Sequence, residues 1–228
     1  MRGTLLAPYL LVAAAHLLCD AAGWDALAAA TQVLLVPALA LVLVGSARQS
    51  TRLVRLTRWA LLFSWLGDTA PRLLDDDAAF GAMLGCFLVA QVFYISAFRP
   101  YAGRSVLRTR RGWLTPYVVA LLALLATCAP AAGALAPAVV VYGCSLAAMA
   151  VLATGVNKLT WAGGAIFMAS DSLIALDAFD VWTQPGHDVW VMGTYCVAQL
   201  LLVLGVLREV GAKTGEAAGE HPSVVPAG

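Results

Sequence analysis

Two aspartates stand in apolar stretches that seldom hold a carboxylate. Asp68 follows the run from Trp59 to Gly67, and Asp171 lies within the run from Gly163 to Leu176. A charged side chain at the centre of a bilayer costs about 2.5–3.5 kcal/mol on insertion scales, so it is rarely kept without a task. Two chemistries suit such a pair. A carboxyl group among apolar atoms favours its neutral, proton-donating form, and a second carboxylate nearby can activate water. That division of labour serves reactions that pass through an oxocarbenium ion. An enol ether gives a comparable cation after protonation at carbon. The other chemistry is transport, in which membrane aspartates relay protons or bind ions. The residues alone leave both open.

Placing these groups requires a membrane. The chain has 228 residues, of which 61% are hydrophobic and 12% charged, with a mean hydropathy of +0.84. Soluble domains carry roughly 25% charged residues. The expected fold is all-α and polytopic, with eight transmembrane helices. A span needs about 20 apolar residues. The expected spans are 4–22, 26–46, 57–74, 78–98, 113–130, 136–154, 159–177 and 187–207, within one domain covering 1–208. The first is read as a retained span, not a cleaved leader. Residues 209–228 lack apolar periodicity and read as a disordered cytoplasmic tail. With eight spans, thirteen of the fourteen Lys and Arg fall on the side of the termini, and Arg72 alone falls on the other. The positive-inside rule then predicts a multi-pass cell-membrane protein with both termini in the cytoplasm.

The same topology gives depth. Asp68 is ten residues past Arg58 and Asp171 thirteen past Lys158, so they lie roughly 15 and 20 Å along outward-running helices. His16 reaches the same outer half, as do Gln91, Tyr94, Tyr195 and Gln199 on the returning spans. Each has a plain structural reading. The glutamines can be interhelical glue, the tyrosines packing groups and His16 a satisfied buried ring. The glycines at 163–164, and the Gly81 and Gly85 pair, permit close helix approach. The latter matches the small-xxx-small pattern of self-associating helices, which alone does not establish a homo-oligomer.

Several classes are excluded. No basic, aromatic-interleaved segment suits nucleic acid. The five cysteines lie in apolar runs without CxxC spacing and read as buried thiols. No metal motif, nucleophile elbow or phosphate-binding loop exists, so no metal or cofactor is expected.

Three groups of residues resemble one family. The first is Leu66-Gly67-Asp68 with Gly81, Gly85, Phe87, Gln91, Tyr94, Ala97 and Phe98. The second is Gly164, Ala165, Phe167, Ser170, Asp171, Ile174 and Ala175. The third is Tyr195, Ala198, Gln199 and Leu202. Their order and topology resemble the YhhN-type lysoplasmalogenases over about residues 30–207. The resemblance implies cleavage of the vinyl ether bond of a lysoplasmalogen, a lysophospholipid with a choline or ethanolamine head. It implies Asp68 and Asp171 as catalytic groups, with Ser170, Gln91, Tyr94, Tyr195 and Gln199 binding or orienting the substrate, and the alkenyl chain in an apolar slot; His16, outside these motifs, is a further candidate for orienting the substrate from its depth alone. The chain departs from the family pattern at Gln91, where many relatives carry His, and at Val36, where many carry Lys.

Overall fold

The computed structural model describes residues 5–47, 49–74 and 76–219. Among these residues every regular element is helical. The eight long helices are α1 (Leu6–Ala22), α2 (Asp25–Ser46), α3 (Arg52–Thr69), α4 (Asp76–Phe98), α6 (Thr115–Ala131), α7 (Ala136–Ala153), α8 (Lys158–Ala178) and α9 (His187–Gly219). A one-turn α5 (Val106–Thr109) interrupts the loop after α4. Six segments are long and apolar enough to cross a membrane: α2, 78–109 around α4, 111–131 around α6, 133–153 around α7, α8 and 187–213 of α9. Helix α1 is apolar but has 17 residues, and α3 carries Arg52, Arg55 and Arg58 in its first two turns.

Three boundaries differ from expectation. The third span was expected to start at 57, yet α3 begins at Arg52. Thr51 caps it by accepting from the Val54 amide, while Leu53, Val54 and Thr57 are buried. The arginines lie on the exposed side of this helix, so a charged segment remains amphipathic and helical. Helix α3 also stops at Thr69, earlier than 74, because Pro71 opens a 3₁₀ turn, Ala70–Leu73. At the other end of the chain α9 runs past the expected limit of 207 to Gly219. Its Glu209 and Lys213 pair one turn apart at 3.7 Å. Part of the tail read as disordered is therefore helical, and 220–228 lies outside the described residues.

Five helices close a ring. Helix α3 packs on α4, α4 on α7, α7 on α8, α8 on α9, and α9 on α3. Helices α1 and α2 lie against α9, and α6 lies against α7 and α8. Large apolar side chains such as Leu11, Leu41, Leu122 and Val141 are exposed on the outer surface, as a lipid-facing bundle requires. The cysteines are all free; Cys19, Cys128 and Cys196 are buried, whereas Cys144 is on the exposed surface.

The ring is tight because small residues line its seams. A Cβ on Gly163 would lie 2.9 Å from both the Ala198 carbonyl oxygen and the Leu202 amide nitrogen. Across the same α8–α9 seam, a Cβ on Gly205 would lie 2.8 Å from the Thr160 amide nitrogen. Asn157 caps α8 in a reciprocal capping box with Thr160 and donates to the Gly205 carbonyl at 2.8 Å. Gly81 and Gly85 behave differently, since among the described residues nothing beyond their own helix backbone lies within 4 Å of a Cβ at either. They mark no close helix approach among the described residues. Gly163→Ala should therefore destabilise the protein by about 1–3 kcal/mol, the usual cost of overpacking. Gly85→Ala should not lower stability. Thermal unfolding in detergent followed by tryptophan fluorescence compares them, and equal midpoints would contradict this account of the seam.

Candidate active site

Asp68 is the next-to-last residue of α3, and Asp171 lies two turns before the end of α8. Both are largely buried, at 8% and 6% exposure. Inside a membrane such groups need partners from the protein itself. Each finds a tyrosine on another helix. The Tyr195 hydroxyl on α9 donates to Asp68 Oδ2 at 2.8 Å. The Tyr142 hydroxyl on α7 donates to Asp171 Oδ2 at 2.5 Å. Gln91 on α4 also reaches Asp171 Oδ2, its Nε2 lying 3.4 Å away.

Behind these contacts the polar groups continue in two chains. From Asp68, Tyr195 leads to Gln199, whose Nε2 lies 3.3 Å from the Tyr195 hydroxyl and donates to Ser64 Oγ at 3.0 Å. Tyr94 donates to Gln199 Oε1 at 2.7 Å. From Asp171, Gln91 leads to Ser145, whose hydroxyl donates to Gln91 Oε1. Gln91, Tyr94, Ser64 and Gln199 are fully buried. Each glutamine thus uses both ends of its amide, which fixes its orientation and that of the tyrosine or aspartate beyond it.

The space between the carboxylates is shaped by rings. Phe87, Phe167 and Tyr195 meet edge to face, with centroids 5.8–6.4 Å apart. Gly67 lets the Phe87 ring come close; a Cβ there would lie 2.7 Å from it. Phe87 borders two compartments. One is a cavity of about 360 Å³ lined by Asp68, Asp171, Tyr195, Gln32, Arg72 and Asp188, among others. The other is an apolar slot lined by Phe80, Leu84, Leu124, Val139, Leu146 and Phe179, with Tyr142 and Asp171 on its wall. Asp171 faces both compartments, whereas Asp68 faces the cavity alone.

The structure gathers most, but not all, of the residues singled out by sequence. Asp68, Asp171, Gln91, Tyr94, Tyr195 and Gln199 form one connected region. Ser170 turns away, donating to the Val191 carbonyl on α9 at 3.0 Å. One residue around a helix is a rotation of about 100°, which carries it from the cavity to the α8–α9 seam. His16 belongs to a separate cluster. Its Nδ1 lies 3.1 Å from the Ala28 carbonyl oxygen and 3.0 Å from Thr31 Oγ1, and its Nε2 lies 3.3 Å from Asp20. Sequence reasoning missed Tyr142, Ser145, Ser64, Gln32 and Arg72. A signal existed for the first two: they stand three residues apart, on one face of an otherwise apolar helix.

Comparison with known proteins places the chain in a family. The YhhN family matches residues 27–206. The mouse protein lysoplasmalogenase TMEM86B is 32% identical over 220 residues, covering 92% of this chain and 89% of the mouse protein. The rat lysoplasmalogenase TMEM86B is 34% identical over 161 residues, 70% of this chain and 64% of the rat protein. No solved structure matches.

The two tyrosine contacts should be separable. In infrared spectra of the purified protein, Asp171→Asn and Asp68→Asn identify the band of each carboxyl group. Tyr142→Phe should shift the Asp171 band and leave that of Asp68, and Tyr195→Phe should do the reverse. Bands that move together in both variants would contradict two independently held carboxylates.

Proposed function

Since the chain belongs to the YhhN family, we propose that it is a membrane lysoplasmalogenase. It hydrolyses the vinyl ether of a lysophospholipid to a fatty aldehyde and a glycerophospho-base. The observation that carries the mechanism is the unequal placement of the two carboxylates: Asp171 borders both a polar cavity and an apolar slot, and Asp68 borders the cavity alone. A lysoplasmalogen has the same division. Its head group and glycerol belong in the cavity, its alkenyl chain in the slot, and its vinyl ether at the junction.

Enol ether chemistry assigns the roles. Protonation occurs at the vinyl carbon nearer the hydrocarbon chain, and the cation forms at the carbon bonded to oxygen. Asp171, at the mouth of the slot, is placed to give that proton. Asp68, on the polar side, takes a proton from water as its oxygen attacks the oxocarbenium carbon. The resulting hemiacetal returns its hydroxyl proton to Asp171 as the C–O bond breaks. The glycerol oxygen leaves with the proton held by Asp68. Products are aldehyde and alcohol, and both carboxyl groups regain their starting states. Tyr142 and Gln91 orient the acid and Tyr195 orients the base, while Gln199, Tyr94, Ser145 and Ser64 hold these three in turn.

This reading includes eight spans in a cell membrane. Charge segregation supports both termini in the cytoplasm and the catalytic cavity toward the opposite face. Proton-coupled transport, which the sequence alone left open, is not favoured, because the relatives carry the name of a hydrolase.

Asp68→Asn and Asp171→Asn should each lower aldehyde release by at least about 10²–10⁴-fold, the usual contribution of a general acid or base. Azide separates the roles, because it captures an oxocarbenium ion without needing a base. With azide, Asp68→Ala should form the azido ether, detected by mass spectrometry, and Asp171→Ala should form none. Azido ether from Asp171→Ala alone would reverse the assignment. Full aldehyde release by both asparagine variants would reject the mechanism.

A further inference from the structure

Among the described residues, Arg72 is the single Lys or Arg at the end of the bundle where the catalytic cavity opens. It follows Asp68 by four residues, in the 3₁₀ turn that ends α3. It lines the same cavity as both carboxylates, and its side chain is exposed rather than sealed in the core. Its guanidinium donates to the Gln32 amide oxygen, and Gln32 itself lines the cavity and reaches Met192 Sδ at 3.8 Å. Among the described side chains, Arg72 forms no ion pair within 4 Å, so a neutral amide positions it and leaves its charge available. Across the cavity wall stands Asp188, in the first turn of α9. Among the described residues the cavity thus holds, beyond the two carboxylates, the Arg72 guanidinium and Asp188, with His187 beside them, 3.6 Å from Asp177.

We propose that Arg72 and Asp188 are the specificity residues for the head group, with Arg72 binding the phosphate and Asp188 attracting the amine. The inference rests on the lysoplasmalogenase reading and extends it to a zwitterionic phospho-amine head. A guanidinium matches two phosphate oxygens at once, which makes it a better phosphate ligand here than the amide and tyrosine groups deeper in the site. With the phosphate on Arg72, the glycerol carbons extend inward toward Asp68 and the vinyl ether toward Asp171. Head-group capture thereby sets the depth at which the reacting carbons stop.

Calorimetric binding to the full-length protein in detergent tests this without turnover. The probe is the saturated alkyl-ether analogue of the lysophosphocholine lipid, which has no vinyl ether to protonate. Arg72→Gln should raise its Kd about tenfold or more, the scale of losing a charge-assisted contact. Arg72→Lys should recover part of the loss. Binding of the corresponding alkylglycerol, which lacks the head group, should stay within about twofold in all variants. Asp188→Asn should weaken the phosphocholine analogue while sparing the analogue whose head is phosphate alone. An unchanged Kd for the phosphocholine analogue in Arg72→Gln overturns the proposal, as does equal weakening of the alkylglycerol, which would mean a merely structural role. Aldehyde release by wild-type protein from the vinyl ether lipid is measured separately. Its absence would count against the hydrolase reading and leave the binding result to decide the head-group site.

Discussion

Each buried carboxylate is held by a tyrosine from a different helix, and the rest of the bundle is arranged around those two contacts. In a bilayer there is no bulk water to satisfy a polar group, so an unmatched carboxylate would carry its whole desolvation cost. Tyr195 meets Asp68 and so links α9 to α3. Tyr142 and Gln91 meet Asp171 and so link α7 and α4 to α8. These are the helices of the closed ring. The contacts that make two acidic groups tolerable are also the contacts that fix where they stand. Lipid tails are as apolar as leucine, so apolar burial alone draws helices together weakly in a membrane. Directional polar contacts and close backbone approach at Gly163 and Gly205 then decide which faces meet.

The aromatic wall separates what the tyrosines hold. Phe87 presses into the space left by Gly67 and meets Phe167 and Tyr195 edge to face. It borders the polar cavity on one side and the apolar slot on the other. An amphiphile with one chain meets the same partition: its polar end has room and hydrogen-bond partners in one compartment and apolar walls in the other. The carboxylate at the junction, Asp171, borders both compartments, and Asp68 borders the polar cavity alone. Identical side chains thereby acquire different surroundings from their neighbours.

Much of this was legible in the sequence because the membrane imposes strong patterns. Apolar runs of fixed length located the helices, and charge segregation identified the end shared by Asp68 and Asp171. What sequence could not resolve was rotation about each helix. Ser170 neighbours Asp171 in the chain but faces α9. Ile174 and Ala175, three and four positions on, share the apolar slot with Asp171. Tyr142 was hidden because a tyrosine in an apolar run reads as packing, and its role depends on a residue twenty-nine positions away. His16 was expected at the depth of Asp68 and Asp171 but is spent on Thr31, Ala28 and Asp20. The start of α3 was misread for another reason. Arginines mark a membrane edge, yet they are good helix formers, so the helix continues past the apolar limit.

The glutamines explain how the site stays ordered while the cavity remains open. Gln199 accepts from Tyr94 and donates toward Ser64 and Tyr195; Gln91 accepts from Ser145 and donates to Asp171. An amide can do this because it offers an acceptor and two donors in one rigid plane. An imidazole at position 91 would offer one acceptor at most and could itself gain or lose a proton. Gln91 cannot exchange a proton under ordinary conditions, so here it can only orient Asp171. Proton movement on the α4 side of the site is thereby confined to the carboxyl group, which faces both compartments.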